Sequence, residues 1–292
     1  MDTPTTTLFL DWKQLDPEAR WGFRAKKFTA VNQLVALGWG VIFTLVFYGI
    51  LYPFHLTNKW LAIEMFFHGG AANRSVIPYI IVLLSCWCLA FLMQKSRKLR
   101  IQRKALAVIP FQDDKNFTVS PMNAQEIIST INLQANRAQD FLVLARMERT
   151  LTSLRNIGHI SDVSALLSDM AEADTIFMET TYTLCKGLIW AIPILGFIGT
   201  VLGLSQSIGS FGVVISKEAD FSALTDALGG VTSGLGTAFE TTLIALVAAL
   251  FIQLLTTLLT QKEEEFLEEC TEYCDKYITM RVRLLDVQDD ME

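Results

Sequence analysis

Four stretches of this chain are longer and more apolar than a soluble fold can use. Leu34–Phe54, Val76–Met93 and Leu188–Val214 contain no Asp, Glu, Lys or Arg, and Leu235–Leu259 contains one, Glu240. A bilayer core about 30 Å thick takes about 20 helical residues to cross, so each run is long enough for a span. Only 18% of the 292 residues are charged and 51% are hydrophobic, whereas soluble domains carry about 25% charge. A soluble enzyme is the poorer reading, a disordered chain is excluded by the apolar content, and five cysteines cannot form a disulfide scaffold. The expected fold is all-α and polytopic: four transmembrane helices with a helical cytoplasmic domain. The run from Leu188 would rise about 40 Å as a helix, so it is expected to end near Ser207 to Ser210.

Basic residues set the expected orientation. Lys13, Arg20, Arg24, Lys26 and Lys27 precede the first span, and Lys95, Arg97, Lys98, Arg100, Arg103 and Lys104 follow the second. The first outer loop holds only Lys59 and Arg74, and the last only Lys217. Positive-inside bias places both termini and the long middle segment in the cytoplasm. Five segments follow: 1–33, a cytoplasmic or interfacial N-terminal segment; 34–94, two peripheral spans; 95–187, a helical cytoplasmic domain; 188–260, a second pair of spans; and 261–292, a cytoplasmic helix. The first 30 residues are polar and mixed in charge, which does not fit a cleavable signal peptide.

No cofactor or metal is expected. His55 and His68 fall outside the membrane and His159 inside, and no Cys/His cluster has ligand spacing. The net charge of −6 and the position of the basic residues beside spans argue against nucleic acid. At the N-terminus, Trp12, Trp21, Phe23 and Phe28 alternate with basic residues, a pattern equally suited to the membrane surface and to protein. The stretch between Pro110 and Pro121 reads as a loop. Helical spacing then runs through Ile127, Ile128, Ile131, Phe141, Leu142, Leu144 and Ala145, and again from Asp162 to Cys185, where it leads into the third span. Near the C-terminus, Phe266, Cys270, Tyr273, Tyr277, Met280, Leu284 and Val287 make a heptad seam, open between subunit contact and packing on the chain's own helices. The run Glu263, Glu264, Glu265 reads as a solvated helix face.

The third and fourth spans carry small and hydroxyl residues where the first two are bulky. Gly196, Gly199, Thr200, Gly203 and Ser207 fall within about 100° of arc on a helix, and Gly234, Ala238, Thr241, Ala245 and Ala248 form a similar stripe with Thr242 on its shoulder. Thr200 and Thr242 lie at similar depth on antiparallel helices. A hydroxyl both donates and accepts, which suits passing a proton or holding a dehydrated cation. Pro193 frees a backbone carbonyl and permits a hinge.

AIPILGFIGTVLGLSQS from Ala191 and ALGGVTSGLGTAFETTLIALVAAL from Ala227 resemble the pore helices of the MotA, TolQ and ExbB proton-channel family, and the likeness is strongest from about Asp169 to Leu259. Four spans with a large segment between the second and third resemble MotA, while the Gly199–Val201 tripeptide is closer to TolQ and ExbB. The resemblance implies a bacterial inner-membrane homopentamer around a dimer of a MotB/TolR/ExbD-like single-span protein, whose aspartate carries the proton. It implies that Thr200 and Thr242 line the ion pathway, that Pro193 matches the family's proline, and that ion flow turns the pentamer to do mechanical work. One charge crossing 100 mV releases about 2.3 kcal/mol, a useful fraction of a protein–protein contact.

Glu240 departs from the family pattern. It sits about 200° round the helix from Thr242, so the two cannot share a pore face. Two roles stay open for it, an interface carboxylate kept neutral or hydrogen-bonded and a second proton relay. Sodium in place of the proton, and a non-conducting scaffold, are the rival functions. An intramembrane enzyme is disfavoured because Ser205 and Ser207 have no basic residue in the spans to activate them. Arg146, Glu148, Arg149 and Arg155 are candidate partner or rotor contacts by type, with solvated helix charges as the plainer reading.

Overall fold

The computed structural model describes residues 10–15, 18, 27–57, 61–67, 76–111, 117–156, 159–215 and 221–283. Arg20, Trp21, Phe23, Arg24, Lys26, His68, Leu284 and Val287 lie outside them, as does the side chain of Arg155. In chain order the helices are α1 (Trp12–Leu15), α2 (Gln33–Thr57), α3 (Leu61–Phe67), α4 (Ile77–Lys104), α5 (Ala124–Gln134), α6 (Leu142–Ser153), α7 (Ile160–Thr181), α8 (Thr183–Ile215) and α9 (Phe221–Cys274). Among the described residues the strands are the two-residue β1 (Leu10–Asp11) and β2 (Ala135–Asn136), paired in parallel. The protein is all-α, and four helical stretches are long and apolar enough to cross a membrane: Gln33–Thr57, Ile77–Ala107, Ile160–Gly209 and Ala227–Thr279. Two compact units divide the chain. An apolar unit holds Gln33–Met93 and Thr183–Thr257, and a polar unit holds Met1–Asn32, Gln94–Tyr182 and Leu258–Glu292.

In the apolar unit, α2 approaches α4 where it has no side chain. A Cβ on Gly40 would stand 2.6 Å from Trp87 Cα, so only glycine permits this crossing. Leu45, Val46 and Ile50, on the other faces of α2, are exposed and suit lipid. The connection between α2 and α4 holds the short helix α3, which sequence periodicity did not indicate. Its aromatic residues explain it: Phe66 packs on Phe47 at 5.3 Å, and Phe67 packs on Tyr48 at 5.6 Å and stacks on His55 at 4.7 Å. The helix α8 does not end near Ser207 to Ser210 but continues to Ile215. The Ser207 hydroxyl donates to Gly203 O at 2.8 Å within its own helix and leaves the backbone ladder intact.

In the polar unit the helical spacing between Ile131 and Phe141 hides a break. Arg137 adopts φ 64°, which no helix tolerates, and β2 just before it pairs with β1. The core forms around α6, where Leu142, Val143, Leu144, Met147 and Leu151 are all buried. Trp12 is fully buried with its ring 5.2 Å from Phe141, and Phe28 lies 6.0 Å from Phe177, so the described N-terminal aromatics pack on protein. Phe266, Cys270, Tyr273 and Tyr277 of the C-terminal seam are buried against the chain's own unit, whereas Met280 is 80% exposed.

Buried charge also holds this unit together. Lys95, 0% exposed, stands 3.0 Å from Glu263, donates to Thr181 Oγ1 at 2.6 Å and caps the Tyr182 ring at 4.3 Å. Thr29 Oγ1 donates to the same Glu263 carboxylate. Lys98 pairs with Glu18 at 2.6 Å and donates to Ala30 O at 2.8 Å. Glu263 is therefore no solvated residue, although its neighbours Glu264 and Glu265 are exposed.

Candidate functional site

Glycines decide how α8 and α9 meet. An added Cβ on Gly196 would stand 2.6 Å from Ala245 Cβ, one on Gly199 3.1 Å from Thr241 Oγ1, and one on Gly203 3.0 Å from Ala238 Cβ. Three successive turns of α8 thus lie so close to α9 that a methyl group would clash at Gly196 and crowd its neighbours at Gly199 and Gly203, the close approach that small-residue faces allow in lipid. Gly234 returns the arrangement from α9, where it faces Ser207. The two stripes read from the sequence are the two sides of this one interface.

The close approach brings the two threonines together. The hydroxyls of Thr200 and Thr242 are hydrogen-bonded to each other. Thr200 Oγ1 also lies 3.2 Å from Gly196 O and 3.4 Å from Ala238 O, and Thr242 Oγ1 lies 3.0 Å and 3.4 Å from the same two carbonyls. The result is a cluster of four oxygens drawn from both helices and served by only two hydroxyl protons. Such a cluster has lone pairs to spare, so it can hold a dehydrated cation or hand a proton along, but its hydroxyl and carbonyl oxygens are too weakly basic to store an additional proton at neutral pH.

Pro193 is half-buried and lies inside α8, about two turns from Thr200. Lacking an N–H, it leaves the Ile189 carbonyl without its helical partner. Glu240 is half-buried and, among the described residues, has no side-chain hydrogen bond or ion pair. It is not part of the oxygen cluster. Thr241 has only 1% of its surface exposed and fills the space over Gly199, a packing role distinct from that of its neighbour Thr242.

The family comparison reaches well beyond these two helices. Residues 134–272 match the model of the MotA/TolQ/ExbB proton channel family. Over these residues the chain is similar to that family. No curated protein and no solved structure gave a match. The MotA/TolQ/ExbB region runs from the end of α5 through α6, α7 and α8 and along most of α9, so it contains the whole oxygen cluster and part of the polar unit. With its four candidate spans, the chain is a multi-pass membrane protein, and the region that matches is similar to a channel family.

The charged candidates on α6 separate. Arg146 is 3% exposed; its Nε donates to Asp174 at 2.6 Å and its Nη1 to Thr271 at 3.2 Å. It links three helices of the polar unit and does not present itself to a partner. Glu148 is half-buried and accepts from Gln139 Nε2 at 3.3 Å, and Arg149 is exposed. The buried ions Lys95, Lys98, Glu18 and Glu263 escaped sequence reasoning, because a charged residue type gives no sign of burial and the pairs join distant segments.

Proposed function

We propose that this chain is the proton-conducting subunit of a bacterial inner-membrane channel that couples the proton motive force to mechanical work. In this reading five copies surround a dimer of a MotB/TolR/ExbD-like single-span protein. The reading is supported by the oxygen cluster at Thr200 and Thr242, set between spans whose facing sides carry no titratable group. Hydroxyls and carbonyls relay a proton but do not store one, so the storing group comes from the partner's aspartate. Thr200 and Thr242 form the ion path, Gly196, Gly199 and Gly203 hold the helices close enough to make it, and Pro193 supplies a hinge. Glu240 serves at a helix or subunit interface near the outer surface.

The test is ion flux through the complete complex in vesicles, followed with a pH-sensitive dye. Thr200→Val and Thr242→Val are each expected to lower proton flux at least about tenfold while the complex still assembles. Flux that survives both substitutions would leave the helix pair as a packing scaffold. Flux that follows a sodium gradient and ignores a proton gradient would assign sodium instead. For Glu240→Gln, unchanged flux with weaker assembly supports the interface role, and lost flux supports a relay.

A further inference from the structure

Two exposed stripes of opposite charge lie level with each other on the polar unit. On α4, Arg97, Arg100 and Lys104 are exposed and fall, with the exposed Met93, within about 60° of arc. The opposite side of this part of α4 carries the buried Lys95, Lys98 and Gln102. On α7, Asp162, Ala165, Asp169, Glu172, Ile176 and Glu179 are exposed and follow one another at intervals of 3, 4, 3, 4 and 3. Val163, Leu167 and Met178 bury the opposite side, and α7 contains no Lys or Arg. Among the described residues, Arg97, Arg100, Lys104, Asp169, Glu172 and Glu179 make no side-chain hydrogen bond or ion pair.

Two contacts fix their relative height. Lys95 reaches Thr181 and Tyr182, which sets the upper part of this α4 segment beside the end of α7. Eight residues further on, Arg103 reaches Glu265 and Glu269, and that stretch of α9 lines one cavity with Ala171 and Thr175 of α7. The helices α4 and α7 therefore run in opposite directions, and counting from Lys95 puts Arg97 level with Glu179, Arg100 with Ile176 and Lys104 with Glu172. Both stripes face away from the core of their own unit, so they cannot pair within one copy.

We propose that the Arg97, Arg100, Lys104 face of one copy docks on the Glu172, Ile176, Glu179 face of a second copy. The contact pairs Arg97 with Glu179 and Lys104 with Glu172 around the apolar Ile176. This rests on the oligomeric reading given above. Rotation about a ring axis parallel to these helices leaves every residue at its own height, so a head-to-tail contact closes only if its two halves are level. The two faces differ, which makes the contact heterologous, as a ring requires. Lipid headgroups on the basic stripe or a basic protein on the acidic one would each explain half of the pattern and not its matched register.

The test uses the full chain with its partner in native membranes. A variant carrying Arg100→Cys and Ile176→Cys, treated with a short bis-maleimide, is expected to give a ladder of covalent multimers on denaturing gels, and either cysteine alone none. Reversing the acidic stripe (Glu172→Lys with Glu179→Lys) or the basic stripe (Arg97→Glu with Lys104→Glu) in that background is expected to cut the ladder about tenfold, and combining the reversals restores it. The native mass of the purified complex is measured alongside. An intact oligomer without a ladder overturns the contact and spares the oligomeric reading, whereas a monomeric mass overturns both. Reversals that each abolish the ladder without rescue when combined also overturn it, because the stripes then face lipid or another protein.

Discussion

Replacing Lys95 with Met tests what holds the polar unit together. The ammonium is wholly buried, 3.0 Å from Glu263 and 2.6 Å from Thr181 Oγ1. At 3.0 Å and an effective dielectric of about 20, the Coulomb attraction is about 5 kcal/mol, and the desolvation of two buried ions offsets most of it. The intact pair therefore adds little net stability, but losing one member is costly. Methionine fills the volume and leaves the Glu263 carboxylate buried with Thr29 as its hydroxyl donor, its Oε2 atom already without a partner. Stranding a buried charge costs about 3 to 5 kcal/mol, which for a unit of this size lowers the unfolding midpoint by about 10 °C. Replacing both residues, Lys95→Met with Glu263→Leu, removes the stranded charge and is expected to recover most of the loss. The assay is thermal unfolding of the solubilised complex read by size-exclusion profile, completed as a double-mutant cycle. A loss below about 1 kcal/mol for Lys95→Met, or a double variant less stable than the single one, refutes the reasoning.

Two further outcomes follow from the same structure. Gly196→Ala sets a methyl group 2.6 Å from Ala245 Cβ, which is expected to cost about 1 to 3 kcal/mol of packing and to lower proton flux by separating Thr200 from Thr242. Adding Ala245→Gly restores the flux, and Gly187→Ala, whose Cβ meets nothing within 4 Å, leaves it unchanged. Burial pushes the thiols of Cys270 and Cys274 upward, Cys274 from 9.0 to about 12. The folded state therefore binds the thiol protons more tightly than the unfolded state, so stability holds below pH 9 and falls as pH rises from about 9 toward 12. A pH series of thermal unfolding checks this, and replacing both cysteines with alanine flattens that part of the profile.

The apolar unit was legible because lipid permits few solutions. A run such as Val76–Met93 has to be a helix, and a stripe such as Gly196, Gly199, Gly203 has to meet another helix closely. Helical period and span length placed Thr200 and Thr242 at similar depth on antiparallel helices, and the structure adds that their hydroxyls meet. The polar unit was less legible because its defining contacts are long-range and ionic. Lys95 and Lys98 read as interchangeable members of a basic cluster, yet each is buried against a different acid, Glu263 and Glu18. Nothing local distinguishes them from the exposed Arg97 and Arg100. Arg137 marks the break between α5 and α6 with a positive φ, a conformation that glycine advertises in a sequence and arginine does not.

The choice between a channel and a packing scaffold turns on which residues make the α8–α9 contact. The close approach comes from Gly196 against Ala245, Gly199 against Thr241 and Gly203 against Ala238, and these contacts need no hydroxyl from Thr200 or Thr242. The carbonyls of Gly196 and Ala238 lie inside continuous helices, whose ladders already supply them with N–H donors. Valine at either threonine would fill the same volume without leaving a backbone group unsatisfied. A scaffold thus gains little from the hydroxyl pair, at most about 1 kcal/mol per hydrogen bond. An ion path gains a polar step at that depth. Loss of flux with retained assembly in the Thr242→Val variant is therefore the result that separates the two functions.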